Sequence, residues 1–374
     1  MLENKSAPEA IFIAGSLSKD VGGAERVMLD TTTELARRGY HVMIWSFDEE
    51  DDSSFYRLGD GVGWQKLGTV QGGALKKLIM KTAKLFHARK SLPVESHTVV
   101  IGFMHANFVP MVMAFSGSRL KLVASEHIVP MHYADKPMQR WIKDISFRLV
   151  DHITVVSEQV RQLHSLKLHE KISVVPNPVH APQQRNQSNL RRLTFLSIGR
   201  FAPQKDLETL LDAFLSLAER FPDISLRIVG DGEQRSKLLQ KASGSAFSDQ
   251  ISMPGNLQNI SDEYHRALVY VHPAIYESYG LTVAEALLHG VPVIGFADCI
   301  GVNQLVINEQ NGLLVNPKPT RKSSLEQAME DLLVNEGKRK RLSENAGKFI
   351  RPTISACADK WQSILSRLAE QRVG

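Results

Sequence analysis

The sequence predicts an α/β protein made of two doubly wound halves, each a parallel sheet covered by helices on both faces. Short β-branched runs alternate with segments of helical period. The alternation stops at a polar, aperiodic stretch and then starts again. Near-continuous apolar strands joined by helical crossovers indicate a sheet buried on both sides. A length of 374 residues fits about two domains, and a hydrophobic content of 43% suffices for two cores.

In the first half AIFIA (10–14), HVMIWSF (41–47), TVVIGF (98–103), LVASE (122–126), HITVVS (152–157) and ISVVP (172–176) read as buried strands. Helical segments lie between most of them, for example GAERVMLDTTTELARRG (23–39). The interruption is HAPQQRNQSNLRR (180–192), of which 181–192 is the expected linker. In the second half the strands are LTFLSIG (193–199), SLRIVGD (225–231), DQISMPG (249–255), LVYVHP (268–273), VPVIGF (291–296) and GLLV (312–315). Leu207, Leu210, Leu211, Phe214, Leu217 and Ala218 recur at helical spacing, with Asp206 as the expected N-cap. Residues 322–371 read as helix throughout. The expected domains are 1–180 and 193–352, followed by a terminal helix within 353–374. Ligands of such folds bind at the strand C-terminal ends, here in the cleft between the halves.

Composition narrows the function classes. No run of 18 apolar residues occurs, so no transmembrane helix is expected. MLENKSAPEA has neither a basic start nor an apolar core and does not read as a secretory signal. Cys299 and Cys357 sit in unrelated contexts, which argues against a disulfide framework or zinc site and is consistent with a reducing cytosol. A net charge of +5 does not by itself choose between nucleic acid, membrane surface and an anionic substrate.

The stretch YESYGLTVAEALLHGVPVIGF (276–296) places Glu277 and Glu285 around a predicted helix start. Gly280 allows a tight turn and close approach of a ligand. The first amides of the helix, near Gly280, Leu281 and Thr282, make an anion site suited to a diphosphate. The carboxylates then accept hydrogen bonds from hydroxyls on either side of it. Taken alone, they also fit a solvated loop residue and a first-turn dipole partner. SIGRFAPQKD (197–206) offers Arg200 and Lys205 at a strand end, where cations neutralise a departing diphosphate; isolated, they equally read as surface charges. SLSKDVGGAERV (16–27) is a glycine loop entering a helix at Gly22 and Gly23, and it is neither a dinucleotide fingerprint nor a P-loop. His127 ends the strand of ASEHIVP (124–130) and points to the cleft, although a lone histidine is more often a satisfied one. The acidic run DEEDD (48–52) reads as a solvated loop rather than a cation site.

In this order the motifs resemble the retaining glycosyltransferases of family 4, the bacterial nucleotide-sugar enzymes of GT-B fold. GGAER, SEH, VVPNPV (174–179), GRFAPQKD, VGDGE (229–233), MPG (253–255) and ESYGLTVAEAL all have counterparts there, over nearly the whole chain. The resemblance implies two Rossmann-like domains facing a cleft, with the C-terminal helix crossing back to the first. It implies that Glu277 binds the donor sugar and Glu285 the ribose. Gly280, Leu281 and Thr282 would hold the diphosphate, and Arg200 and Lys205 would stabilise the departing charge. Backbone near Pro254, Gly255 and Asn256 would line the base pocket. Gly22 and Gly23 would approach the donor, and His127 would contact the sugar near the reacting carbon. No cofactor or metal is expected, because side chains and helix ends neutralise the charge. Thr282, where many relatives have proline, and Leu288-His289, in place of a common Ala-Cys, are departures that remove no required chemical group. The expected activity is transfer of a hexose or N-acetylhexosamine, with retention, from a UDP-sugar to a lipid-linked or growing glycan in polysaccharide or lipopolysaccharide assembly. A UDP-sugar 2-epimerase and a non-catalytic nucleotide-sugar-binding protein share the fold; the paired glutamates and the Gly-Arg…Lys element disfavour the first.

Between Gly61 and Val94 there are seven Lys/Arg and no Asp or Glu, with Leu75, Leu78, Ile79, Leu85 and Phe86 forming a stripe. The stripe is expected to pack inward. Lys76, Lys77, Lys81 and Lys84 are expected to lie on anionic lipid. This predicts a cytoplasmic protein, peripheral on the inner membrane face, with no nucleic-acid partner.

Overall fold

The computed structural model describes residues 9–19, 22–93, 97–180 and 193–370. The expected linker, 181–192, lies outside them. The chain divides into two compact units. One runs to Pro178 and resumes at Pro352; the other is Val179–Arg351.

The first unit contains, in chain order, β1 (Ala10–Ile13), α1 (Gly23–Arg37), β2 (Val42–Ser46), β3 (Val62–Lys66), α2 (Ala74–Arg89), β4 (Val99–Phe103), α3 (His105–Phe115), β5 (Lys121–Glu126), α4 (Pro137–Leu149), β6 (His152–Val155), α5 (Glu158–Gln162) and β7 (Ile172–Val174). The strands form one parallel sheet in the order β3-β2-β1-β4-β5-β6-β7. The second unit contains β8 (Thr194–Ile198), α6 (Leu207–Ala218), β9 (Ser225–Val229), α7 (Arg235–Ser243), β10 (Ile251–Gly255), α8 (Ser261–Arg266), β11 (Val269–His272), α9 (Leu281–Leu288), β12 (Val293–Phe296), α10 (Ile300–Asn303), β13 (Gly312–Val315), α11 (Arg321–Val334) and α12 (Glu336–Ala346). Its parallel sheet has the order β10-β9-β8-β11-β12-β13. That order reverses between β8 and β11, so the loops after these two strands flank a switch point. The last helix, α13 (Ile354–Glu370), belongs to the first unit. It buries Cys357, Trp361, Ile364, Leu365 and Leu368 at helical spacing, and the Trp361 ring lies 5.5 Å from that of Phe12 in β1.

All twelve expected strands form; most carry the continuous apolar run that a sheet covered on both faces selects, while the edge strand β10 alternates and buries only Gly255. The sequence reading missed β3, an edge strand in which only Val62 is buried, so VGWQK carries no apolar run. The C-terminal segment, expected to be helical throughout, is three helices with a break at 335 and a longer one at 347–353. Asn335 starts α12, accepting from Lys338 N at 3.0 Å, and Pro352 prevents α12 from running into α13. Asp206 precedes α6 but makes no side-chain cap: its backbone is left-handed (φ 48°) and its carboxylate pairs with Arg321.

Helix α2 departs most from expectation. Leu85 is buried, but Leu75 is 72% exposed, Ile79 58% and Phe86 48%, so much of the stripe faces outward. Two of the four lysines turn inward instead. Lys81 bonds Asn107 Oδ1 at 2.8 Å and lies over the Phe47 ring, while Lys84 bonds Leu67 O at 2.6 Å. Their long stems let the ammonium groups satisfy carbonyl oxygens at the helix edge. Lys76 and Lys77 remain exposed. In α4 the same pattern recurs with Met138, Trp141 and Leu149 exposed. None of the described helices is long and apolar enough to cross a membrane.

Candidate active site

In the second unit, the loop after β8 carries Arg200 and then a short turn ending at Lys205; the loop after β11 carries Glu277. Two cross-links bring these loops together. Ile275 N donates to Gln204 O at 2.8 Å. Arg321, from the first turn of α11, donates to Asp206 Oδ2 at 2.8 Å and to Pro273 O at 2.7 Å, with its guanidinium 3.6 Å from the Phe296 ring centre. As a result the Lys205 ammonium donates to Glu277 Oε2, with side chains only 16% and 18% exposed. Burial pushes the Glu277 carboxyl up, but the Lys205 ammonium and His272 outweigh it and hold it well below the usual carboxylate range. Glu277 is therefore ionised at neutral pH.

Two glycines make this geometry possible. Gly301 N donates to Glu277 O at 3.0 Å, and a Cβ at Gly301 would stand 2.6 Å from Glu277 Cβ. Gly280, the N-cap of α9, has φ 83°, and a Cβ there would stand 2.6 Å from Gly301 O. Only glycine meets both demands at 280. The amides of Leu281 and Thr282 open α9 and have no acceptor inside the helix, which gives this end a partial positive charge. The Thr282 hydroxyl accepts from Tyr270 Oη at 2.7 Å. One turn on, Glu285 is 5% exposed, and its Oε2 accepts from Tyr264 Oη at 3.0 Å. Arg200 is exposed and makes no ion pair among the described residues. Pro254, Gly255 and Asn256 lie at the end of β10, where Gly255 O accepts from Gly230 N at 2.9 Å.

The first unit holds the remaining predicted residues. Gly22 caps α1 with extended backbone (φ −107°), and Gly23 begins the helix. His127 follows β5. Its ring stacks on Phe103 at 4.2 Å, and Nε2 lies 3.0 Å from Ser125 Oγ, which accepts from Thr154 Oγ1 at 2.9 Å. Burial pushes this imidazole down to about 3, so it is neutral at pH 7. Beside it is a cavity of about 10 Å³, lined also by Thr31, Asn177 and Trp361. Asp48, expected in a solvated run, is fully buried. It accepts from Leu17 N, Ser18 Oγ and Ser46 Oγ at 2.8, 2.8 and 2.6 Å, which organises the loop after β1.

The structure thus joins Lys205 to Glu277 and sets the start of α9 on the same loop as Glu277; the first unit carries His127, Gly22 and Gly23. Sequence reasoning missed Arg321, Gly301, Tyr264 and His272. His272 left a weak signal, being two residues from Tyr270 and so on the same face of a strand. Gly301 left none, because its neighbour across the turn is 24 positions away in the chain.

Comparison with known proteins bears on this arrangement. The family model described as Glycosyl transferases group 1 matches residues 181–349, and that described as Glycosyltransferase Family 4 matches 21–181. An uncharacterized glycosyltransferase of Haemophilus influenzae is 26% identical over 92% of this chain and 96% of that protein. The Campylobacter jejuni GalNAc-alpha-(1->4)-GalNAc-alpha-(1->3)-diNAcBac-PP-undecaprenol alpha-1,4-N-acetyl-D-galactosaminyltransferase is 24% identical over 96% of this chain and 98% of its own length. The crystal structure of Anabaena Alr3699/HepE in complex with UDP and glucose superposes with a TM-score of 0.76 at 18% identity, covering 96% of this chain and 99% of that one.

Proposed function

This chain belongs to glycosyltransferase family 4 and has the GT-B fold, and from that premise we propose that it moves a hexose or N-acetylhexosamine from a UDP-sugar, with retention, to a lipid-linked or growing glycan. The observation that carries the donor site is the Lys205–Glu277 pair beside the open N-terminus of α9. The amides of Leu281 and Thr282 suit a diphosphate, and Lys205 and Arg200 suit the charge that grows as it departs. Glu277, held ionised, suits sugar hydroxyls, and Glu285, oriented by Tyr264, suits those of the ribose. The base lies against 254–256. Charge neutralisation by these groups makes the transfer metal-independent. His127, neutral, offers a hydrogen bond to the sugar without adding charge. The acceptor class follows the Campylobacter relative, whose name specifies an undecaprenol-diphosphate glycan.

A thermal-shift panel of UDP-, GDP- and ADP-sugars tests this reading. The matching donor at about a hundred times its Kd should stabilise the protein by roughly 2.7 kcal/mol, while the other nucleotides leave Tm unchanged. No shift with any of them removes the donor-site assignment. Incubation with UDP-N-acetylglucosamine and analysis of the sugar product distinguishes transfer from 2-epimerisation.

The reading extends to the membrane. The outward Leu75, Ile79 and Phe86 of α2, flanked by Lys76 and Lys77, and the outward Met138, Trp141 and Leu149 of α4, flanked by Arg140 and Arg148, support contact with an anionic bilayer. Each basic residue near such a surface contributes about 1 kcal/mol. Sedimentation with phosphatidylglycerol vesicles should show binding that phosphatidylcholine does not support. Met138→Glu with Trp141→Glu should weaken it at least about tenfold on area and charge grounds. Undiminished binding by that double variant rules out α4 as a contact.

A further inference from the structure

His272, the last residue of β11, is 1% exposed, and its Nε2 has no hydrogen-bond partner among the described residues. That nitrogen lies 3.7 Å from Glu277 Oε2, the same oxygen that Lys205 holds. The gap is too long for a hydrogen bond. On its other side, Nδ1 is 3.4 Å from Tyr270 Oη, which also reaches Thr282 Oγ1 at 2.7 Å and Ile198 O at 3.1 Å. His272 is therefore the middle of a buried row running from the first turn of α9 to Glu277.

We propose that His272 is a positioning residue for Glu277, and that it replaces Lys205 as the carboxylate's partner when the nucleotide-sugar is engaged. The inference rests on the donor-site reading above. In that reading Lys205 faces the diphosphate and Glu277 faces the sugar, so each must give up the other. A carboxylate shielded from water then needs a new donor to keep its orientation. His272 Nε2 is already aimed at it, and a movement of about 0.8 Å brings the pair to an ordinary N–H···O length. Burial holds the imidazole below its usual range, so the ring is neutral, and the proposed role needs the tautomer that carries its proton on Nε2. No proton is transferred. A neutral donor steadies one oxygen of Glu277 and leaves its negative charge for the sugar hydroxyls.

The test compares His272→Phe, which keeps a ring without nitrogen, with His272→Gln, which keeps a side-chain donor. Titration calorimetry is run with UDP and with the UDP-sugar that stabilises the wild type. The Phe variant should bind the UDP-sugar at least about tenfold more weakly and UDP within about twofold, since UDP does not call on Glu277. The Gln variant should recover most of the loss. Equal weakening for both ligands means a merely structural role and overturns the proposal, as does no change for either. If the Phe variant does not fold, the ¹⁵N spectrum of wild-type histidines decides: the His272 Nε2–H signal should shift with UDP-sugar and not with UDP, and an unchanged signal overturns the proposal. A wild type that binds no nucleotide-sugar from the full panel removes the donor-site reading itself. Binding by the wild type without discrimination by the variants removes this inference alone.

Discussion

Glu277→Ala is expected to lower kcat/KM for sugar transfer by about 10²–10³-fold, a loss typical of removing one preorganised group from a transition-state site. Lys205→Ala should do about the same. The two side chains are each other's ionic partner in a pocket that leaves them 16% and 18% exposed. Removing either leaves the other charge partly desolvated, and in the proposed reading each has a separate task toward the donor. The double variant should then fall little below the worse single one, because residues acting as a unit are strongly non-additive. Steady-state rates with the donor identified by thermal shift give the measurement. Single variants that both keep full activity would falsify the assignment. Stability gives a second reading: the pair is partly open to solvent, so each single variant should lose only about 1–2 kcal/mol, less than the loss for a fully buried pair.

Gly280→Ala should destabilise the second unit by about 2–4 kcal/mol and abolish measurable nucleotide-sugar binding. A left-handed backbone costs a residue with a Cβ about 1–2 kcal/mol. The new methyl would also meet Gly301 O at 2.6 Å, and that atom is backbone, so it gives way only if the loop moves. The loop in question holds Glu277 through Gly301 N. Strain at 280 therefore reaches the carboxylate as well as the first amides of α9. Calorimetry should show Tm lowered by roughly 5–15 °C, given about 2–4 °C per kcal/mol for a unit of this size. Gly280→Asn, which tolerates positive φ but keeps a Cβ, should recover only the dihedral share. A Tm within about 1 °C of wild type for the alanine variant contradicts this account of the loop.

Much of the fold was legible because most of its strands are apolar throughout. A sheet covered on both faces writes its strands as continuous β-branched runs, and every such run became a strand. The edge strand β3, half exposed and carrying Gly63, Gln65 and Lys66, wrote no such run. Helix α2 was misjudged for a related reason. An amphipathic period shows that a helix has an apolar face, but not whether that face meets the sheet or the solvent. Lysine stems long enough to turn back to Leu67 O and Asn107 inverted the expected roles.

In the second unit, the sequence by itself determined the chemical groups and their order, the cations after β8 and the glutamates around Gly280; in the first unit it determined the histidine after β5. These are local facts, since turn glycines and helix starts are set by neighbours in the chain. Only the tertiary structure decided which groups touch. That Lys205 holds Glu277, that Arg321 fastens both loops, that Tyr264 orients Glu285 and that His272 waits behind the ion pair depend on contacts between distant segments. Residues 72 positions apart meet at Glu277 because a parallel sheet brings β8 and β11 side by side. Strand order, which periodicity does not encode, fixes that neighbourhood.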